Sequence, residues 1–145
     1  MNCFLFDIDG TLADLSHRLH HIQKQPKDWD AFFAAVADDA PIEHVIAFAR
    51  TLWAGGAKLV FVSGRNEVCR LATVNWLRRY GLPSGPLLMR GADDRRPDDV
   101  VKTEMLPLIL AYGYTPVMAF EDRDRVVAAW RAHGIPCAQV APGAF

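Results

Sequence analysis

Cys3-Phe4-Leu5-Phe6-Asp7-Ile8-Asp9-Gly10-Thr11 begins as an unbroken apolar run, stops at a carboxylate and turns at Asp-Gly-Thr. Four apolar residues without polar alternation describe a strand covered on both faces, as in a parallel sheet. The pattern returns at Lys58 to Val62, ending at Ser63-Gly64-Arg65, and at Val117 to Phe120, ending at Glu121-Asp122. Weaker runs lie at Leu87 to Met89 and Cys137 to Val140. Between them run helical patterns: Ile42 to Trp53, Glu67 to Tyr80 before Gly81, Val101 to Tyr112 before Gly113, and Asp124 to His133 before Gly134. The alternation predicts a doubly wound α/β domain, a parallel sheet with right-handed crossovers and helices on both faces. Pro107 must fall in a first turn or kink the third helix.

Asp14 to Ala40 stand outside the alternation. They predict two short helices, around Leu15 to Ile22 and Trp29 to Ala37, separated by Gln25-Pro26-Lys27. An insertion of this size beside a strand's carboxyl end can form a lid or a cleft wall. Residues 1–145 therefore read as one domain with a small helical cap at about 14–40, long enough to bury about two thirds of the unfolded surface. A net charge of -1 with 23% charged residues argues against broad electrostatic binding to membranes or nucleic acid, so no stable nucleic-acid complex is expected. Cys3, Cys69 and Cys137 lack metal-ligand spacing and read as buried thiols of a reducing compartment. The N-terminal run lacks a basic leader and no stretch nears membrane-spanning length, so a cytoplasmic location is expected.

In an open α/β sheet the ligand sits beyond the carboxyl ends of the strands. Those ends carry Asp7 and Asp9, Ser63 and Arg65, and Glu121 and Asp122. Carboxylates crowded in one crevice repel one another unless a hard cation joins them, and Mg²⁺ with substrate phosphate meets that need. FDIDGTLAD resembles the first motif of the haloacid dehalogenase superfamily, DxDGT(L/V), and VSGR resembles its second; Lys102 and FEDRD resemble its third and fourth. The resemblance implies a Mg²⁺-dependent phosphatase of that superfamily. Dehalogenases of the superfamily lack the second aspartate, so Asp9 favours phosphoryl transfer.

The residue chemistry agrees. Asp7 can form an acyl phosphate, dividing one displacement into two. Asp9 can protonate the leaving alcohol and then deprotonate water. Ser63, the Gly64 amide and Arg65, at a predicted helix N-terminus, can bind phosphoryl oxygens, with Thr11 in the same set. Lys102 would neutralise charge on phosphate and nucleophile. Asp7, Asp9 and Asp122 are the candidate metal ligands; Glu121 can act through water or orient Asp122, and Arg123 can contact substrate. Taken singly, Asp9-Gly10-Thr11 could be only a turn, Ser63 to Arg65 only a helix start, and Lys102 a solvated helix residue. His17, His20 and His21 read as a solvated face shared with Arg18 and Lys24 rather than a metal cluster. Trp29, Phe32 and Phe33 read as cap core rather than a base-stacking platform, and Trp76 and Trp130 as domain core.

RRPDDVVKTEML and AFEDRDRVVAAWRAHGIPCAQVAPGAF resemble the phosphatase domain of phage-type polynucleotide kinase/3'-phosphatases. That resemblance implies a nucleotidic substrate, a nucleoside monophosphate or a polynucleotide 3'-phosphate. Two departures stand out: no GxxxxGK(S/T) loop is present, and Glu121 replaces the first aspartate of the family's pair. A small-metabolite phosphatase is the alternative within the class. A non-hydrolytic receiver-like phospho-acceptor is the alternative outside it, disfavoured because receivers place adjacent acids on the first strand.

Overall fold

Side chains of strand β1 (Asn2–Phe6) divide the molecule into two layers. Cys3 and Leu5 enter one core and Phe6 the other, with Phe4 packed beside it, following the two-residue period of a strand. The computed structural model describes all 145 residues, Met1–Phe145. β1 is the middle of five parallel strands, flanked by β4 (Lys58–Asn66) and β5 (Leu87–Arg90) on one side and by β6 (Thr115–Glu121) and β7 (Cys137–Gln139) on the other. The chain leaves β1 in one direction and later returns to it from the other. The carboxyl end of β1 is therefore a topological switch point, where such sheets bind ligands.

One core packs Phe6, Phe61, Trp76 and Leu77 against α2 (Glu43–Ala54) and α3 (Arg70–Arg79). The other packs Leu5, Val60, Val62, Ile109 and Trp130 against α5 (Leu106–Ala111) and α6 (Asp124–Ala132). Trp76 and Trp130 are both buried, as their spacing predicts, and so are the three free thiols. The doubly wound expectation holds. No helix is long and apolar enough to cross a membrane.

Three element boundaries differ from the sequence reading. β4 runs on through Ser63, Gly64 and Arg65, with an irregular register between Ser63 and Asn66. A 3₁₀ turn, Glu67–Cys69, then precedes α3, so Arg65 lies next to last in a strand rather than starting a helix. The third helix is divided into α4 (Asp98–Glu104) and α5, because Pro107 fits a first turn and cannot continue α4. α4 begins ahead of Val101, where Asp98 and Asp99 complement the positive end of the helix dipole.

The insertion is clipped at its base by two short antiparallel strands, β2 (Ala13–Asp14) and β3 (Ala40–Pro41). Its first predicted helix is a 3₁₀ segment, Ser16–His21. The second is α1 (Trp29–Ala34), followed by a 3₁₀ turn at Val36–Asp38. Asp28 caps α1 by accepting the Ala31 amide at 3.0 Å.

Candidate active site

Asp7 follows β1 directly and is buried, and both its oxygens are held. Thr11 donates its hydroxyl to Oδ2 at 2.9 Å, and Lys102 donates Nζ to Oδ1 at 2.7 Å. Lys102 also reaches Glu121 Oε2 at 2.9 Å and is 1% exposed. It lies in the last turn of α4, not on a solvated first turn. Burial alone would lower its pKa, but Asp7, Glu121 and Asp98 hold the ammonium well above the usual lysine range.

Glu121 closes β6 and Asp122 follows it. One carboxylate oxygen from each of Asp7, Glu121 and Asp122 lies within 4.8 Å of the others. Burial, reinforced by the charge of Asp7, raises Asp122 to about 7 and Glu121 well above its ordinary value. Three buried carboxylates thus face one ammonium, an excess of negative charge that a divalent cation would neutralise. The all-oxygen donor set suits a hard ion such as Mg²⁺. The backbone makes room for the Asp122 carboxylate of this set: at Gly10, φ +83°, a Cβ would stand 2.0 Å from Asp122 Oδ2.

Asp9 is not part of that cluster. Its Oδ1 accepts Arg18 Nη2 at 2.9 Å, Arg65 Nε at 3.0 Å and Arg65 Nη2 at 2.8 Å. Burial would raise its pKa, but the Arg65 and Arg18 guanidinium groups outweigh that and hold the carboxyl below its usual range. Arg65 is engaged further by Asp39 and by the Thr73 hydroxyl. Its guanidinium therefore faces Asp9 rather than standing free for a phosphoryl oxygen. Ser63 Oγ accepts the Arg65 amide at 3.0 Å, leaving the hydroxyl proton to donate elsewhere. Gly64 packs so closely against Asp98 that a Cβ would lie 1.9 Å from Oδ1, and its carbonyl accepts Arg90 Nε at 2.9 Å. Arg123 is turned to Phe145, donating Nε to its carbonyl at 2.8 Å, with Asp98 3.7 Å away.

Two residues of this site escaped the sequence reading. Arg18, grouped there with a solvated face, is completely buried, and Asp39 is 1% exposed. Asp39 bridges both arginines, accepting Arg18 Nε and Nη2 and Arg65 Nη2, each at 2.8 Å. Arg18 Nη1 has no hydrogen-bond partner, but the guanidinium lies 4.3 Å from the Phe32 ring centroid in a cation–π contact. The available signal was position: Arg18 follows Asp14 by four residues and Asp39 immediately precedes Ala40, so each stands near one end of the insertion. The histidines form no metal cluster. His17 bonds Asp39 at 2.7 Å, while the His20 and His21 rings touch at a tilt of 40°. Trp29, Phe32 and Phe33 pack together, as read, although Trp29 stays half exposed.

A family model described as the polynucleotide kinase PNKP phosphatase domain matches residues 1–145. A putative bifunctional polynucleotide kinase/RNA ligase of Autographa californica nuclear polyhedrosis virus is 30% identical over 133 residues, covering 91% of this chain and 18% of the viral protein. A chain of the Pnkp1/Rnl/Hen1 RNA repair complex superposes with a TM-score of 0.84 at 28% identity, over 99% of this chain and 43% of that one. This chain therefore spans less than half of either relative. The class C acid phosphatase of Bacillus anthracis, at 19% identity, shares the fold, with a TM-score of 0.72 over 99% of this chain and 66% of its own.

Proposed function

Because the chain belongs to the polynucleotide kinase PNKP phosphatase-domain family, a group of haloacid dehalogenase-type phosphomonoesterases, we propose that it removes a phosphate from a nucleotidic substrate through an aspartyl-phosphate on Asp7. The preferred substrate is a polynucleotide 3'-phosphate or a nucleoside monophosphate; the likeness to a polynucleotide kinase/RNA ligase and to a chain of an RNA repair complex supports the nucleotidic class. The observation that carries the mechanism is the convergence of Lys102, Glu121 and Asp122 on Asp7.

We assign Mg²⁺ to Asp7 and Asp122, with Glu121 beside them; the engagement of Asp9 by two arginines supports leaving its side chain out of the set. When bound, the ion neutralises charge on the phosphoryl oxygens and on the carboxylates. An Asp7 oxygen attacks phosphorus while the bond to the leaving alcohol breaks, and the alcohol oxygen takes a proton from Asp9. In the free protein Asp9 is ionised, but a phosphate dianion beside it favours the protonated form. Asp9 then removes a proton from water, whose oxygen attacks phosphorus. The bond to Asp7 breaks, inorganic phosphate leaves and the Asp7 carboxylate is restored. Lys102 keeps Asp7 oriented and offsets the arriving charge, while Ser63 and the Gly64 amide donate to the phosphoryl group. The residues between β2 and β3 act as a small cap over this crevice.

One observation favours a small substrate over a long strand. Of the arginines at and just after β5, Arg90 pairs with Asp98 at 2.8 Å and Arg96 with Asp94 and Glu104, which leaves Arg95 alone without an ion pair and no continuous cationic groove leading from the site. The test is a screen of nucleoside 3'- and 5'-monophosphates and 3'-phosphorylated oligonucleotides with Mg²⁺, comparing wild type with Asp7→Asn. Turnover of nucleotidic esters that disappears in Asp7→Asn supports the reading. Activity confined to sugar phosphates overturns the substrate, and an active Asp7→Asn overturns the nucleophile.

A further inference from the structure

We propose that Asp39, at the far end of the insertion, is a positioning residue that determines which oxygen of Asp9 carries the proton. The proposal rests on the reading of Asp9 as the acid and base of the reaction. Asp9 Oδ1 accepts three N–H groups from two guanidinium ions, whereas Oδ2 accepts none from the protein. A carboxylate oxygen has two lone pairs, so Oδ1 is saturated by cationic donors and cannot also hold a proton. The proton passed to the leaving oxygen therefore resides on Oδ2. The Asp9 side chain is 27% exposed, so this oxygen is not sealed from the crevice.

The arrangement depends on the two guanidinium groups keeping their planes, and Asp39 fixes both. Its Oδ1 and Oδ2 grip Arg18 through Nε and Nη2 in a bidentate pair, and Oδ2 also takes Arg65 Nη2. Asp39 is itself anchored, since its carbonyl accepts Trp76 Nε1 at 2.8 Å and Trp76 belongs to the core. Asp9 and Asp39 together balance Arg18 and Arg65 in charge, giving a quartet in which only Asp9 keeps access to the crevice. Without Asp39, Arg65 would keep Thr73 as a second anchor, but Arg18 would keep no hydrogen bond except that to Asp9. Arg18 would then rotate, and Asp9 could turn Oδ2 toward a cation and away from the leaving group. Loss of Asp39 should therefore impair proton transfer more than substrate binding.

Leaving-group dependence separates this role from a merely structural one. p-Nitrophenyl phosphate releases a stabilised phenolate that needs no proton, whereas an alkyl phosphomonoester releases an alkoxide that does. The experiment measures kcat/KM, which reports phosphoryl transfer to Asp7 and not the aspartyl-phosphate hydrolysis common to both esters, together with KM, with Mg²⁺ for wild type, Asp39→Asn and Asp9→Asn on p-nitrophenyl phosphate and on whichever alkyl ester the wild type hydrolyses fastest. We expect Asp39→Asn to lose about 10 to 10²-fold more in kcat/KM on the alkyl ester than on p-nitrophenyl phosphate, with KM changed by no more than about threefold. Equal losses on both esters, or a change confined to KM, overturn the role of Asp39. If Asp9→Asn is leaving-group dependent and Asp39→Asn is not, Asp39 alone is refuted. If Asp9→Asn loses both activities equally, the acid assignment falls and this inference with it. Should Asp39→Asn not fold, Arg18→Lys tests the same point, because an ammonium cannot bridge Asp39 and Asp9 in the fork geometry; an equal loss on both esters there refutes the proposal.

Discussion

Replacing Lys102 with methionine removes the ammonium that lies 2.7 Å from Asp7 and 2.9 Å from Glu121 while nearly conserving side-chain volume. The perturbation leaves Asp7, Glu121 and Asp122 buried with no cation among them. Removing one partner of a buried ion pair costs about 3–5 kcal/mol. Burial and the Asp7 charge already raise Glu121 and Asp122, so proton uptake will relieve part of the strain and the lower figure of about 3 kcal/mol is expected here. For a domain of 145 residues, that loss corresponds to a melting temperature lower by about 6–12 °C. Circular dichroism melts with and without Mg²⁺ measure it. In chelator the variant should melt below wild type, and Mg²⁺ should raise its Tm more than it raises that of wild type, because a divalent ion would then be the sole counter-charge. Turnover of p-nitrophenyl phosphate should fall by about 10²–10³-fold, the usual effect of losing one preorganised stabilising group. A variant that matches wild type in both Tm and kcat would refute the reasoning, since Lys102 would then be neither charge partner nor catalytic support.

Gly10→Ala adds a Cβ 2.0 Å from Asp122 Oδ2 at a backbone φ of +83°, so Mg²⁺ affinity by calorimetric titration should weaken by at least about tenfold. The left-handed backbone alone should lower stability by about 1–2 kcal/mol in urea unfolding. Gly64→Ala places a Cβ 1.9 Å from Asp98 Oδ1 and should cost up to about 10²-fold in kcat/KM by shifting the Ser63–Gly64 end of β4; an unchanged value would show that Asp98 moves aside freely. The metal-free protein should also lose stability as pH rises. Asp122 is raised to about 7 in the fold from the ordinary 3.8, by burial first and the Asp7 charge second. Between those values the fold binds more protons than the unfolded chain, so the contribution of Asp122 is full below the lower value and is lost as pH rises through about 7, and Glu121, raised well above its ordinary value, acts in the same direction. Asp9, whose carboxyl is held below its usual range, titrates beneath this window and does not oppose the trend. Melts in chelator across that range should show the decline, and saturating Mg²⁺ should flatten it.

The parts of this molecule that the sequence disclosed are those whose cause is local. A strand buried on both faces must read as an apolar run, so β1, β4 and β6 were visible, and the acids that end them marked the crevice. The motif located Lys102, although its burial depends on α4 packing against β4 and α6, which no local pattern reports. Arg18 and Asp39 were hidden because each finds its partner 21 residues away across the insertion. Within His17-Arg18-Leu19-His20-His21 an arginine looks like one more solvated cation, and Asp38-Asp39 looks like a turn. Arg65 was half legible: its motif identified the residue, but only the position of Asp9 and Asp39 shows what the guanidinium grips.

The clip formed by β2 and β3 has an evolutionary consequence. Because Ala13 pairs with Pro41 and Asp14 with Ala40, the chain leaves the domain and re-enters it at nearly the same point. The entropy of closing an intervening loop grows slowly, about 0.6 kcal/mol for each doubling of its length. Sequences of quite different size can therefore be spliced in above the crevice without unsettling the sheet beneath. A replacement must still bring a cation and an acid back to the places of Arg18 and Asp39, or Asp9 loses its setting. Substrate preference in this architecture can thus drift by exchange of one surface segment, while the two charged residues near its ends stay under constraint.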